Sequence, residues 1–113
     1  MDTIEFVKSV CTLLKDHKGG DVTAIKVTEK TDVADYFVIA SGRSQVHARS
    51  LAERVDEEAS KVGRQPLRSE GVKEGRWAVL DYGDVIVHVF NDETRLFYHL
   101  EKLWDDGTNS QKY

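Results

Sequence analysis

The sequence predicts a single-domain α/β fold in which a mixed β-sheet is flanked by helices. Three observations carry that prediction. The chain of 113 residues is long enough for one core and too short for two. Helical and alternating hydrophobic patterns interleave along it instead of segregating. One run, "YFVIA" at Tyr36 to Ala40, is apolar throughout, as a central strand covered on both faces must be.

The first element is an amphipathic helix. In "DTIEFVKSVCTLLKDHKGG", Asp2 stands three residues before Glu5, a capping-box spacing with Asp as the cap. Phe6, Val10, Leu13 and Leu14 recur at helical intervals, and Gly19 or Gly20 supplies the stop. "DVTAIKVTEK" then alternates, with Ile25 and Val27 on one face and Lys26 and Thr28 on the other, the pattern of a half-exposed strand. The apolar strand at Tyr36 follows. A long helix comes after "SGRS", with Ser44 as N-cap, Gly63 as stop, and Ala48, Leu51, Ala52, Val55, Ala59 and Val62 on one stripe.

"RQPLRSEGVKEGR" reads as loop, with a short edge strand near Leu67 to Ser69, where Pro66 is tolerated. "WAVLDYGDVIVHVF", Trp77 to Phe90, is a hairpin. "NDETRLFYHLEKLW" is one final helix, capped by Asn91 or Asp92 and carrying Leu96, Phe97, Leu100, Leu103 and Trp104. The domain is therefore expected over residues 1–104, with 105–113 as a polar, frayed tail.

Composition narrows the function classes. Hydrophobic content of 40% is too high for disorder, and no apolar run reaches membrane-spanning length. "MDTIEFVKSV" has an acid where a signal peptide has a basic segment, so a cytoplasmic protein is expected. Cys11 is the single cysteine, which excludes an intrachain disulfide and paired-thiolate zinc, and its helical position suits a buried structural thiol. Residues 81–113 hold 7 acidic and 3 basic side chains and so account for the whole net charge of -4. That balance disfavours a phosphate-backbone binder and suits a basic protein partner.

The chemical motifs each have a plainer reading. "SGRS", leaving a buried strand and opening a helix, resembles a phosphate-binding turn or the Gly-Ser start of a nucleotidyltransferase. That chemistry needs an Asp-x-Asp pair on the next strand, which is missing, so a tight strand-to-helix turn is the reading favoured. His17, His47, His88 and His99 show no metal spacing, and His88, in an apolar strand, suits a hydrogen-bonded core or interface histidine. No cofactor is expected. A divergent nucleotidyltransferase-fold enzyme or nucleotide binder using Gly42, Ser44, Asp81 and Asp84 is the alternative, and a thermal shift with ATP or GTP and magnesium separates it from a non-enzymatic reading.

If Tyr82 and Gly83 form a two-residue hairpin loop, Asp81 faces Asp84 and Trp77 faces His88. Alternation then gives an aliphatic face of Ala78, Leu80, Val85, Val87 and Val89, which should pack on helices. The other face carries Trp77, Val79, Asp81, Asp84, Ile86, His88 and Phe90. Aromatic anchors beside acids suit a protein-binding surface. The alternative is a helix that covers Trp77 and Phe90 and leaves only the acids exposed.

"DYFVIASGRSQVHARSLAERV", then "EG" at Glu70 and Gly71, then "WAVLDYGDVIVHVFNDETRLFYHLEKLW" resemble the bacterial ribosomal silencing factor family, also called Iojap, over nearly the whole chain. The resemblance implies a nucleotidyltransferase-like fold without its catalytic carboxylates and a non-enzymatic translational repressor. Its partner would be the large ribosomal subunit, bound through ribosomal protein L-fourteen so that the small subunit cannot join. Autonomous nucleic-acid binding and membrane association are not implied. Carried over by residue, the resemblance highlights Trp77, Asp81, Gly83, Asp84, His88, Phe90, Arg95, Tyr98, Leu100, Glu101, Lys102, Leu103 and Trp104. The candidate partner-binding set is Trp77, Asp81, Tyr82, Asp84, His88, Phe90, Arg95, Tyr98 and Lys102, on the mixed hairpin face and the neighbouring helix. That face is also expected to support a homodimer of the free protein.

Overall fold

A computed structural model describes residues 2–113, apart from the side chain of Phe97, so the place expected for Phe97 on the last helix's apolar stripe lies outside the described residues. Asp2 accepts the backbone N–H of Glu5 at 2.8 Å and so starts α1 (Thr3–Asp16) where the capping pattern predicts. Phe6, Val10 and Leu14 are buried along it, joined by Val7 and Cys11. Burial pushes the Cys11 thiol up to about 12, which suits a structural role.

The remaining elements are β1 (Gly20–Lys26), β2 (Tyr36–Gly42), α2 (Gln45–Lys61), β3 (Arg68–Glu70), β4 (Trp77–Asp81), β5 (Val85–Asn91), α3 (Asp92–Tyr98), α4 (Leu100–Trp104) and β6 (Ser110–Lys112). Six strands form one sheet in the order β3-β4-β5-β2-β1-β6. The β2–β5 pair is parallel and the other pairs are antiparallel, so the sheet is mixed as expected. Tyr36–Gly42 lies at its centre, buried on both faces from Phe37 onward.

Helices α1 and α2 cover one face. Ser44 caps α2 by accepting the His47 N–H at 3.0 Å. The turn before it is tight for steric reasons, since a Cβ on Gly42 would lie 2.5 Å from the backbone nitrogen of Ala48. Ala48, Leu51, Ala52, Val55 and Ala59 are buried as the stripe predicts, whereas Val62 follows the last turn as C-cap and is exposed. Each fully buried Leu or Val here contributes about 1.5–3 kcal/mol relative to exposure.

Four expectations are corrected. First, β1 is covered on both faces. Val22 and Ala24 join the core under α1 and α2, while Ile25 and Val27 join the cluster on the opposite side. The expected polar alternation used Lys26, the last residue of the strand, and Thr28, which lies beyond it. Second, the hairpin register is displaced by two: Asp81 pairs with Ile86, Val79 with His88 and Trp77 with Phe90. Its loop is longer because the Tyr82 N–H donates to the Val85 carbonyl at 2.9 Å and the Gly83 N–H to the Asp81 carboxylate at 2.8 Å. An even displacement leaves the paired strand residues on their expected faces, whereas Asp84 falls in the loop and turns from the mixed face to Thr3 of α1 and Arg64.

Third, the final helix is two. It starts as predicted, with Asn91 accepting the Thr94 N–H, but breaks at His99, whose φ of 46° is left-handed. Fourth, the chain end is a sheet edge instead of a frayed tail. Ser110, Gln111 and Lys112 pair with Ile25, Ala24 and Thr23. The Asn109 amide fixes the approach by donating to the carbonyls of Lys26 and Trp104.

Candidate functional site

The two faces of the sheet are covered unequally. Ala78, Leu80, Val85, Val87 and Val89 point into the core beneath α1 and α2. On the opposite face Ile25, Val27, Phe37, Ile39, Ile86 and Phe90 form a second cluster, against which Trp77, Val79, Leu100 and Trp104 pack half-buried. Its only helical cover among the described residues is the short pair α3 and α4, too small to span six strands.

Aromatic contacts organise this second face. Trp77 stacks on Phe90 with ring centroids 4.9 Å apart and lies 5.0 Å from Tyr98. Phe37 meets His88 and Trp104 edge-on, both at 5.2 Å. The Trp77 indole N–H donates to Nδ1 of His88 at 3.1 Å, which requires an unprotonated Nδ1 and puts the imidazole proton on Nε2. Burial drives the His88 pKa down to about 4, opposed by the nearby Asp81. His88 is thus the hydrogen-bonded, neutral core histidine that its place in an apolar strand suggests.

At the rim the side chains turn outward. Leu96, Tyr98 and Leu103 are 82%, 54% and 76% exposed. Beside Tyr98 a cleft of ≈ 480 Å³ is lined by Gln45, Arg76, Trp77, Asn91, Glu93 and Thr94 as well as Tyr98 itself. The half-buried Trp77 and exposed Tyr98 at a polar cleft have the composition of a docking surface.

The nine sequence-predicted site residues divide into three places. Trp77, His88, Phe90 and Tyr98 come together in the aromatic cluster, where Phe90 is fully buried and Trp77 stays half-buried. Helix cover therefore takes Phe90 and leaves Trp77 at the surface. Lys102 is exposed on α4, whereas Arg95 is buried beneath it. The Arg95 guanidinium donates to Glu101, Ser41 and the carbonyls of Gly20 and Asp21.

Tyr82, Asp81 and Asp84 lie at the hairpin turn. Tyr82 packs edge-on against Phe6 at 5.0 Å, and its hydroxyl is pushed up to about 12, chiefly by burial and then by Asp56, against the opposing Arg64. Asp84 accepts from Thr3 at 2.6 Å and from Arg64 at 2.7 Å, so it is no open hinge acid facing Asp81. Burial works to raise its carboxyl, but the bonds from Thr3 and Arg64 and the guanidinium charge together hold it below the usual range.

The same pairing disperses the expected acidic patch. Asp81, Asp84 and Asp106 meet Arg68, Arg64 and Lys30, bases from the first 80 residues. Sequence reasoning missed Arg64, which also lies 4.3 Å over the Phe6 ring, because nothing in "VGRQPL" signals a long-range partner. It also carried Leu96, Leu100, Leu103 and Trp104 on one continuous helix, which the break at His99 rules out. Among the described residues no group of three or more His, Cys, Asp or Glu could hold a metal ion, and no helix is long and apolar enough to cross a membrane.

Residues 1–112 match the family described as "Ribosomal silencing factor during starvation". The chain is 36% identical over 107 residues to "Ribosomal silencing factor RsfS" of Bacillus subtilis, covering 95% of this chain and 91% of that one. A crystal structure of a Chromobacterium violaceum protein superposes with a TM-score of 0.89 at 32% identity, covering 92% of this chain and 87% of that one. A second, from Bacillus halodurans, gives 0.85 at 30% identity, with 98% and 100% covered. With sheet and sequence matched along almost their whole length, the chain belongs to the ribosomal silencing factor family.

Proposed function

We propose that the protein represses translation by binding the large ribosomal subunit through ribosomal protein L-fourteen, so that its folded mass blocks the small subunit from joining. Family membership supports the coarser part of this reading, a ribosome-associated repressor of translation. The observation that carries the finer part is the unequal cover of the sheet. One face lies under two long helices, while the other carries the half-buried Trp77 beside the exposed Tyr98, with Leu96 and Leu103 exposed on the short helices α3 and α4.

The action needs occupancy and no bond chemistry. A body with a radius of gyration of 12.5 Å and extents of 33 × 33 × 23 Å is large enough to separate two docking surfaces. Repression would take place in the cytoplasm, and the free protein would pair with a second copy through the same apolar face, so that dimer and ribosome complex exclude each other.

Co-sedimentation with separated subunits tests this reading. The protein should pellet with large subunits and not with small ones, and prior loading should lower the yield of joined ribosomes. Equal recovery with both subunits, or undiminished joining at saturation, would overturn it.

A further inference from the structure

The break between α3 and α4 is bridged by a specific pair, the buried Arg95 and the partly buried Glu101. Nε of Arg95 donates to Oε2 of Glu101 at 2.7 Å, and a second guanidinium nitrogen lies 2.7 Å from the same oxygen. In a straight helix, residues six apart sit about 9 Å apart along the axis and about 120° apart around it, beyond the three- and four-residue spacings at which side chains meet. The pair is possible only because the chain turns at His99, where a non-glycine residue occupies left-handed backbone.

Arg95 is itself immobilised. It donates to the Gly20 carbonyl at 3.1 Å, the Ser41 hydroxyl at 2.8 Å and the Asp21 carbonyl at 2.9 Å, tying α3 to the ends of β1 and β2. Through Glu101 that anchor extends to α4. There Leu100 and Trp104 lie on the second-face cluster, and Leu103 turns outward.

The geometry points to Glu101 as a positioning residue for the docking face: by pairing with the anchored Arg95 across the His99 break, it fixes α4 and thereby sets where the outward Leu103 stands relative to Leu96 and Tyr98 on α3. This inference rests on the function proposed above and adds the device that shapes the site. A continuous helix over 92–104 would stack Leu96, Leu100 and Leu103 on one side and present a different surface.

Two readouts on the full chain test it. Amide hydrogen exchange reports where α4 is held without any ribosome, and large-subunit co-sedimentation reports binding. In Glu101→Ala, amides of residues 100–104 should lose protection while those of β2 and β5 keep theirs, and subunit affinity should fall by about tenfold or more. Glu101→Gln keeps an oxygen for Arg95 and loses only the charge, so it should lie between wild type and Glu101→Ala on both readouts. His99→Gly relieves the left-handed backbone and keeps the pair, so it should bind within about twofold of wild type.

Unchanged protection of 100–104 in Glu101→Ala would show that the pair does not position α4. Lost protection with wild-type affinity would show that the face does not depend on α4. Either result overturns the inference. If Glu101→Ala does not fold, the ordering of Glu101→Gln against His99→Gly decides it, and Glu101→Gln matching wild type on both readouts overturns it. Failure of the wild type to bind large subunits would count against the proposed function, while the exchange measurement would still decide whether Glu101 positions α4.

Discussion

Trp77 and His88 are not register partners, yet they are joined side chain to side chain across the β4–β5 pair by an indole N–H donated to Nδ1 at 3.1 Å. The bond needs a neutral imidazole, and burial keeps it neutral down to about pH 4. An unfolded histidine takes up its proton near 6.5. The unfolded state therefore binds more protons between about 6.5 and 4, so folding stability falls as pH drops through that window and levels off below it. The shift corresponds to about 3 kcal/mol for this buried group. Denaturant midpoints measured from pH 7 to pH 4 should show the decline in wild type and much less of it in His88→Leu, and a flat wild-type profile would refute the assignment.

Asp84→Asn and Asp84→Lys should both weaken the fold, the lysine more. Asparagine can still accept from Thr3 and Arg64 without attracting the guanidinium, whereas lysine sets two cations together where the wild type has a 2.7 Å ion pair. The carboxylate is a quarter exposed, so solvent screening reduces the loss for Asp84→Lys to about 2 kcal/mol, below the range for a fully buried pair. Because the folded carboxyl titrates below its usual value, its contribution is present above about pH 4 and fades as pH falls below that. Urea unfolding of the three proteins at pH 7 checks the order, and an Asp84→Lys midpoint equal to wild type would rule out a structural role for the Thr3–Asp84–Arg64 cluster.

Two glycines with similar backbone should respond differently to alanine. Gly63 and Gly75 have φ of 79° and 69°, but a Cβ at 63 meets nothing within 4 Å, whereas one at 75 would lie 2.1 Å from the Gln45 carbonyl oxygen. Gly63→Ala should cost only the left-handed strain, about 1 kcal/mol. Gly75→Ala must also push the 71–76 loop off the start of α2, disturbing the approach to Trp77, and should cost about 3 kcal/mol or more. Equal thermal midpoints for the two variants would contradict this account.

Residues 110–113 should matter for solubility more than their polar composition suggests. Removing them strips β6 from β1, leaves three register pairs unmade and loses the Tyr113 N–H donated to the Val22 carbonyl. An uncovered, largely apolar edge strand is a template for pairing between chains. The truncated protein should melt lower and aggregate at a lower concentration, as read by light scattering during a thermal ramp, and behaviour identical to the full chain would show that β6 does not protect the edge.

The parts of this fold that the sequence made legible are those decided by neighbours along the chain. Asp2, Ser44 and Asn91 cap their helices because a side chain three residues from an orphan amide needs no tertiary help. The faces of the paired hairpin strands were assigned correctly despite a register displaced by two, since only an odd displacement exchanges them, but Asp84 fell in the loop and left the mixed face for Thr3 and Arg64. What stayed hidden depends on residues far apart. Asp84 meets Arg64 across 20 positions, Arg95 reaches Gly20 and Ser41, and Asn109 bonds Lys26. The break at His99 belongs to the same group. Local periodicity favours one helix through 104, and the pairing that opposes it exists only once β1 and β2 have brought Gly20, Asp21 and Ser41 to Arg95.

The outward leucines offer the most direct test of the docking face. Leu96 and Leu103 are 82% and 76% exposed, so Leu96→Glu and Leu103→Glu should alter stability by less than about 0.5 kcal/mol. If the face docks on the large subunit, each places a charge in an apolar contact that must shed water, and affinity should fall by about tenfold to a hundredfold. Val62→Glu is the matched control, because Val62 is half exposed at the end of α2, on the helix-covered side of the sheet. Adding salt should not restore binding to the leucine variants, since the loss comes from burying an unpaired charge and not from long-range repulsion, which salt would screen. Co-sedimentation at two salt concentrations, paired with melting curves, separates the outcomes: weakened binding by both leucine variants with wild-type binding by Val62→Glu supports the face, and equal binding by all three would move the docking site elsewhere on the molecule.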